Sequence, residues 1–120
     1  MKISAAEAVI MEALWRREPL AAEDVTSEVA PGQGWTEATV KTLINRLLKK
    51  GAVAATKDGR RYLYRPLLAR ADYVAAESQG FLDRLFDGSL APLVSHLSQN
   101  RSLSADDIAE LKRLIAEMER

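Results

Sequence analysis

Apolar residues recur along this chain in two rhythms, and the switch between them divides it. Ala6, Val9, Ile10, Ala13 and Leu14 return every three or four positions, the period of one helix face. Ser4-Ala5-Ala6-Glu7 has the spacing of a capping box, with the serine accepting a first-turn N–H and the glutamate reaching back. The spacing predicts a helix to about Arg17, which Pro19 stops. A second short helix is predicted near Ala22–Val29, with Val25 and Val29 inward, and Pro31-Gly32-Gln33-Gly34 reads as a break. A third is predicted over 36–50: Val40, Leu43, Ile44, Leu47 and Leu48 form its apolar stripe, Thr36 is a suitable N-cap and Gly51 a C-terminal stop.

Beyond Gly51 the period falls to two. Val53 to Lys57 and Arg61 to Pro66 read as strands joined by Asp58-Gly59, a tight-hairpin signal. Tyr62 and Tyr64 share one face of the second strand, where they can hold the hairpin against the helices. From about Arg70 the helical period returns. Tyr73, Ala76, Phe81, Leu82, Leu85 and Phe86 mark one long helix ended by Asp87-Gly88. Leu90, Leu93, Val94 and Leu97 mark a second, with Pro92 tolerated in its first turn. Ser104-Ala105-Asp106-Asp107 opens a third, carrying Ile108, Leu111, Leu114, Ile115 and Met118. Three helices followed by a hairpin is the order of a winged helix-turn-helix. The expected architecture is mainly α with a small β-hairpin wing: a DNA-binding domain over 1–69 and a helical dimerisation region over 70–120.

Composition narrows the function. No apolar run approaches the roughly 20 residues of a membrane helix, and Glu7, Glu12, Arg16, Arg17 and Glu18 interrupt any signal-peptide core. The chain has no cysteine, so it has neither a disulfide framework nor a thiolate metal site, and a reducing cytoplasm fits. The formal net charge is zero, but it is unevenly spread. Residues 1–35 hold three basic and six acidic side chains, net −3; residues 36–70 hold nine and two, net +7; residues 71–120 hold five and nine, net −4. A polyanion responds to the field within about 8–10 Å, so the basic centre matters more than the total.

That centre falls on the third helix and the hairpin. Opposite its apolar stripe the helix presents Thr39, Lys41, Thr42, Asn45, Arg46 and Lys49, behind the cap Thr36. Lysine and arginine bind phosphate or guanine, threonine meets phosphate or a thymine methyl, and asparagine pairs with adenine. Lys57, Arg60 and Arg61 bracket the hairpin turn, where a wing contacts phosphate or the minor groove. Trp15 and Trp35 read as packing residues. His96 is the sole histidine and has no nucleophilic partner, and no glycine fingerprint is present, so neither an enzyme nor a cofactor or metal site is expected. In the C-terminal region, the apolar stripes need a partner. A second copy of the chain would meet Tyr73, Phe81, Leu82, Leu85, Phe86, Leu93, Val94, Leu97, Leu111, Leu114 and Ile115. The expected partners are double-stranded DNA and self, with no membrane. A winged helix used as a protein-interaction module, or a regulator answering a small molecule, are the alternative readings.

These residues resemble the penicillinase-repressor family (BlaI/MecI/CopY type) of winged-helix transcriptional regulators. The resemblance spans nearly the whole chain. It is carried by Gly34-Trp35, by Thr39-Val40-Lys41-Thr42-Leu43-Ile44-Asn45-Arg46-Leu47, by Lys50-Gly51, by Gly59-Arg60 with Tyr62 and Tyr64, and by Phe81 through Ser89. It implies a homodimeric repressor of a palindromic operator, with Thr36–Lys50 as recognition helix and dimer contacts in the C-terminal helices. Two departures accompany it. Members released by a receptor protease are cut at an Asn-Phe bond in the penultimate helix, where this chain has His96-Leu97, which speaks against that protease as a partner. Copper-responsive members carry a C-terminal cysteine cluster, and this chain has no cysteine.

Overall fold

The computed structural model describes residues 1–120. Its elements are α1 (Ala5–Arg16), α2 (Ala22–Gln33), α3 (Glu37–Lys50), β1 (Val53–Asp58), β2 (Arg61–Pro66), α4 (Arg70–Phe86), α5 (Leu90–Gln99) and α6 (Ala105–Met118). They form two compact units, Met1–Tyr73 and Val74–Arg120. The division falls inside α4, where the Tyr73 ring still packs on Trp15 in the first unit at 5.5 Å between centroids.

The first unit is a winged helix. The inward faces of α1, α2 and α3 supply Ile10, Met11, Leu14, Val25, Val40, Ile44 and Leu47, and Ala52 and Val53 extend the core into the base of β1. Each buried aliphatic side chain contributes roughly 1.5–3 kcal/mol of transfer free energy, which fixes how α3 lies against α1 and α2. All three helices start where the sequence suggests, α1 and α3 with the expected hydroxyl caps. The Ser4 hydroxyl accepts the Glu7 N–H at 3.1 Å while the Glu7 carboxylate accepts the Ser4 N–H at 2.8 Å, and Thr36 Oγ1 accepts the Thr39 N–H at 3.3 Å.

Two boundaries differ from the sequence expectation. Helix α2 continues through Pro31 to Gln33, and its stop is Gly34 at φ +68°, whose N–H donates to the Ala30 carbonyl at 2.8 Å. Proline keeps a helical φ and forfeits one hydrogen bond, which a last turn anchored by buried Val25 and Val29 tolerates. In the hairpin Asp58 pairs with Arg61, so the two loop residues are Gly59 and Arg60 rather than Asp58 and Gly59. Gly59 takes φ +64° at the first loop position, as a type II′ turn requires.

The wing is fastened to the helices at three points. Leu20, between α1 and α2, pairs with Tyr64 through reciprocal backbone hydrogen bonds of 3.0 and 2.8 Å. Tyr64 is half-buried against the core, whereas Tyr62, on the same strand face, remains 50% exposed. After β2 the Leu67 and Leu68 amides donate to the Ala52 carbonyl, and Trp15 Nε1 donates to the Leu68 carbonyl at 2.9 Å. Trp15 and Trp35 both pack against the core.

The second unit holds the rest of α4 with α5 and α6. The Ser104 hydroxyl and Asp107 carboxylate form a reciprocal capping box at the start of α6. No residue of α5 or α6 is fully buried. Leu82, Phe86, Leu93, Val94, Leu97 and Leu111 are half-buried, whereas Phe81, Leu85, Leu114 and Ile115 are exposed. An open apolar groove of about 540 Å³ lies between α4 and α5, lined in part by Phe81, Leu82, Leu90 and Leu93.

Candidate nucleic-acid interface

Helix α3 carries the contrast its sequence implies. Val40, Leu43, Ile44 and Leu47 are buried, and Thr39, Lys41, Thr42, Asn45, Arg46 and Lys49 are all exposed on the other side. Thr36 is exposed at the N-cap. The Thr42 hydroxyl donates back to the Ala38 carbonyl at 3.0 Å, which leaves its methyl and its oxygen lone pairs as what it can offer outward. Thr39 shares its hydroxyl with Thr36 at 3.3 Å. Asn45, Arg46 and Lys49 have no hydrogen-bonding or ionic partner, so the middle and last turns of the helix present free donors.

Lys57, Arg60 and Arg61 are exposed on the wing, and Lys57 and Arg60 likewise have no ionic partner. Arg61 is engaged from two sides, Nη1 lying 3.4 Å from Glu23 Oε1 and Nε lying 3.7 Å from Asp58 Oδ2. Lys41 pairs along its helix with Glu37 at 3.5 Å. Lys41, Arg60 and Arg61 line a cleft of about 220 Å³ among the start of α2, the first turn of α3 and the wing; Glu23, Glu37 and Tyr62 complete its polar walls.

Lys50, the last residue of α3, does not join this surface. Its Nζ lies 2.6 Å from Glu7 Oε1 and donates to the Lys2 carbonyl at 2.8 Å. Glu7 is 1% exposed, and its second oxygen, Oε2, accepts no hydrogen bond. Burial pushes the Glu7 carboxyl up; hydrogen bonds from Lys50 and Ser4, with the Lys50 charge, outweigh it and hold the group below the ordinary glutamate value. The basic end of α3 thus commits one charge to the fold.

Sequence reading missed Glu23 and Tyr62 as members of the cleft and Glu7 as the partner of Lys50. Glu23 and Arg61 are 38 positions apart, and Glu7 and Lys50 are 43 apart. No local periodicity reports either pairing; only the Leu20–Tyr64 bridge and the α1–α3 packing bring them together. No group of histidine, cysteine, aspartate or glutamate side chains is placed to hold a metal ion, and no helix is long and apolar enough to cross a membrane.

A helix with a buried apolar back and an exposed basic front, beside a basic two-stranded wing, defines a winged helix-turn-helix protein of the DNA-binding class. The sequence profile of the family described as Penicillinase repressor matches residues 3–117. The Penicillinase repressor of Bacillus licheniformis is 33% identical over 116 residues, covering 97% of this chain and 91% of that protein. The methicillin resistance regulatory protein MecI of Mammaliicoccus sciuri is 30% identical over 114 residues, covering 95% and 93%. Among solved structures, the Bacillus licheniformis BlaI monomeric form in complex with the blaP half-operator superposes with a TM-score of 0.53 at 33% identity, over 61% of this chain and 89% of that one. The chain belongs to the penicillinase repressor family, a family of DNA-binding transcriptional repressors rather than enzymes.

Proposed function

We propose that the chain acts in the cytoplasm as a homodimeric repressor of a palindromic operator, each copy reading one half-site with α3 and gripping the flanking backbone with its wing. The exposed face of α3 carries the reading: Asn45, Arg46 and Lys49 stand free of internal partners on a helix whose back is locked into the core. Thr36, Thr39, Lys41 and Thr42 extend that face toward the N-terminus, the end that meets base edges in helix-turn-helix proteins. Lys57, Arg60 and Arg61 supply the wing's phosphate contacts. A relative solved as a monomer on a half-operator supports one half-site per copy. Self-association is supported by the second unit, where Phe81 is 37%, Leu85 60%, Leu114 41% and Ile115 49% exposed. Tyr73 packs on Trp15 within the first unit.

Fluorescence anisotropy with duplex from the chain's own upstream region tests this. Log affinity is expected to fall linearly with log salt, with a slope of about −0.9 for each phosphate contacted. Arg46→Ala is expected to weaken operator binding by about 1–3 kcal/mol and to relax preference at one base pair. Absence of binding at any salt overturns the repressor reading, and an unchanged Arg46→Ala affinity removes Arg46 from the base contacts.

A further inference from the structure

The cleft between helix and wing contains two carboxylates of its own, Glu37 from α3 and Glu23 from α2. Arg61, on the first residue of β2, points one guanidinium nitrogen at Glu23 Oε1, 3.4 Å away in the first turn of α2, while its Nε faces Asp58 at 3.7 Å. Lys41 and Arg60 share the cleft walls, and Lys41 is itself paired with Glu37. We propose that Glu23 is an internal competitor for nucleic-acid phosphate: in the free protein its carboxylate takes the Arg61 contact that a backbone phosphate takes in the complex. This rests on the reading of α3 and the wing as a DNA-binding surface.

The physical case is one of charge and access. Arg61 is about half exposed and Glu23 about two-thirds exposed, with side-chain exposures of 51% and 63%, so both can be approached from solvent and the pair is only weakly held. A phosphate presents the guanidinium with the same geometry as a carboxylate, and with a stronger field because neighbouring phosphates add to it. Close approach of DNA therefore breaks the Glu23–Arg61 pair and leaves the glutamate beside a polyanion. Both steps oppose binding. The opposition applies to any duplex and does not depend on sequence, so Glu23 holds down the non-specific affinity set by the basic centre.

The test is anisotropy of the full chain with a mixed-sequence duplex of about 30 base pairs, long enough for non-specific electrostatic binding at low salt. Glu23→Gln is expected to tighten binding about two- to fivefold, the scale of an exposed ion pair. In an Arg61→Gln background the same change is expected to bring a smaller gain, because the competition for Arg61 is gone and only the repulsion between Glu23 and the duplex remains. Glu28→Gln makes the same charge change on α2 at a residue paired with Arg16 and Arg17 and outside the cleft; it is expected to leave affinity unaltered. An unchanged or weaker affinity for Glu23→Gln overturns the inference. So does an equal gain with and without Arg61, or an equal gain from Glu28→Gln, either of which reduces the effect to net charge. If the wild-type chain binds no duplex at any salt, the DNA-binding reading itself falls and the inference falls with it.

Discussion

Glu7 is the most constrained ionisable side chain of the protein: 1% exposed, held by Lys50 at 2.6 Å and capping α1 through Ser4. Removing Lys50 strands a carboxylate in the core. Lys50→Met is therefore expected to lower unfolding free energy by about 1–3 kcal/mol, less than for a fully buried pair because the lysine side chain is 36% exposed. Urea unfolding at neutral pH checks it. The pair also has a pH signature. The folded-state pKa of Glu7 lies below its unfolded value, so the unfolded chain binds its proton first as pH falls. Its stabilisation is complete above the ordinary glutamate range and is lost as pH drops through the lowered value. The difference in urea midpoint between wild type and Glu7→Gln is accordingly expected to close on acidification; a gap constant with pH contradicts the assignment. Half of this residue's role was legible in the sequence, because Ser4-x-x-Glu7 is a local pattern. The other half was not, because Lys50 reads as one more cation on a basic helix until α1 and α3 are packed together. The same holds for Glu23 and Arg61, whereas Arg46 and Lys49 were legible because their exposure follows directly from the stripe of Val40, Leu43, Ile44 and Leu47 on the opposite face.

Elements follow the sequence wherever a side chain declares the boundary, and drift where backbone conformation decides it. Ser4, Thr36 and Ser104 announce α1, α3 and α6, and each hydroxyl accepts the expected first-turn amide. The end of α2 and the hairpin turn are set instead by which glycine takes a positive φ, which no side-chain pattern records. Gly34 and Gly59 do; Gly32 does not, and it sits in the last turn of α2 with open space where an alanine methyl would stand. Alanine should therefore act with opposite sign at two exposed glycines. Gly59→Ala is expected to destabilise by about 1 kcal/mol, through left-handed backbone strain alone, since its surroundings are open. Gly32→Ala is expected to stabilise by about 0.4–1 kcal/mol, by restricting the unfolded chain and favouring helix. Thermal unfolding of the two variants beside wild type reads both signs, and a loss at Gly32 contradicts the extended α2.

At the scale of the whole molecule, the basic centre and the apolar C-terminal stripes complement each other. A stretch of net +7 between stretches of −3 and −4 confines attraction for a polyanion to one part of the chain. A single such surface gives an affinity that salt readily abolishes; joining two makes the second contact intramolecular, with a gain of about 10²–10⁴ when the spacing fits. The exposed apolar residues of the C-terminal unit are suited to making that join. On α6, Ile108, Leu114, Ile115 and Met118 are 43%, 41%, 49% and 75% exposed, an apolar stripe along one short helix that suits a partner's apolar face. Leu114→Glu with Ile115→Glu tests the join without touching the first unit, because neither residue is buried in the monomer and the helix cap at Ser104 is remote from them. Sedimentation equilibrium is expected to show the wild-type chain as a dimer and the double variant as a monomer with unchanged helix content. Its affinity for a two-half-site duplex is expected to fall at least about tenfold while its affinity for an isolated half-site stays the same. A wild-type chain that sediments as a monomer at tens of micromolar overturns the dimer. A monomeric double variant that binds both duplexes as tightly as wild type shows instead that the dimer contributes nothing to operator recognition, and places all of the affinity in α3 and the wing.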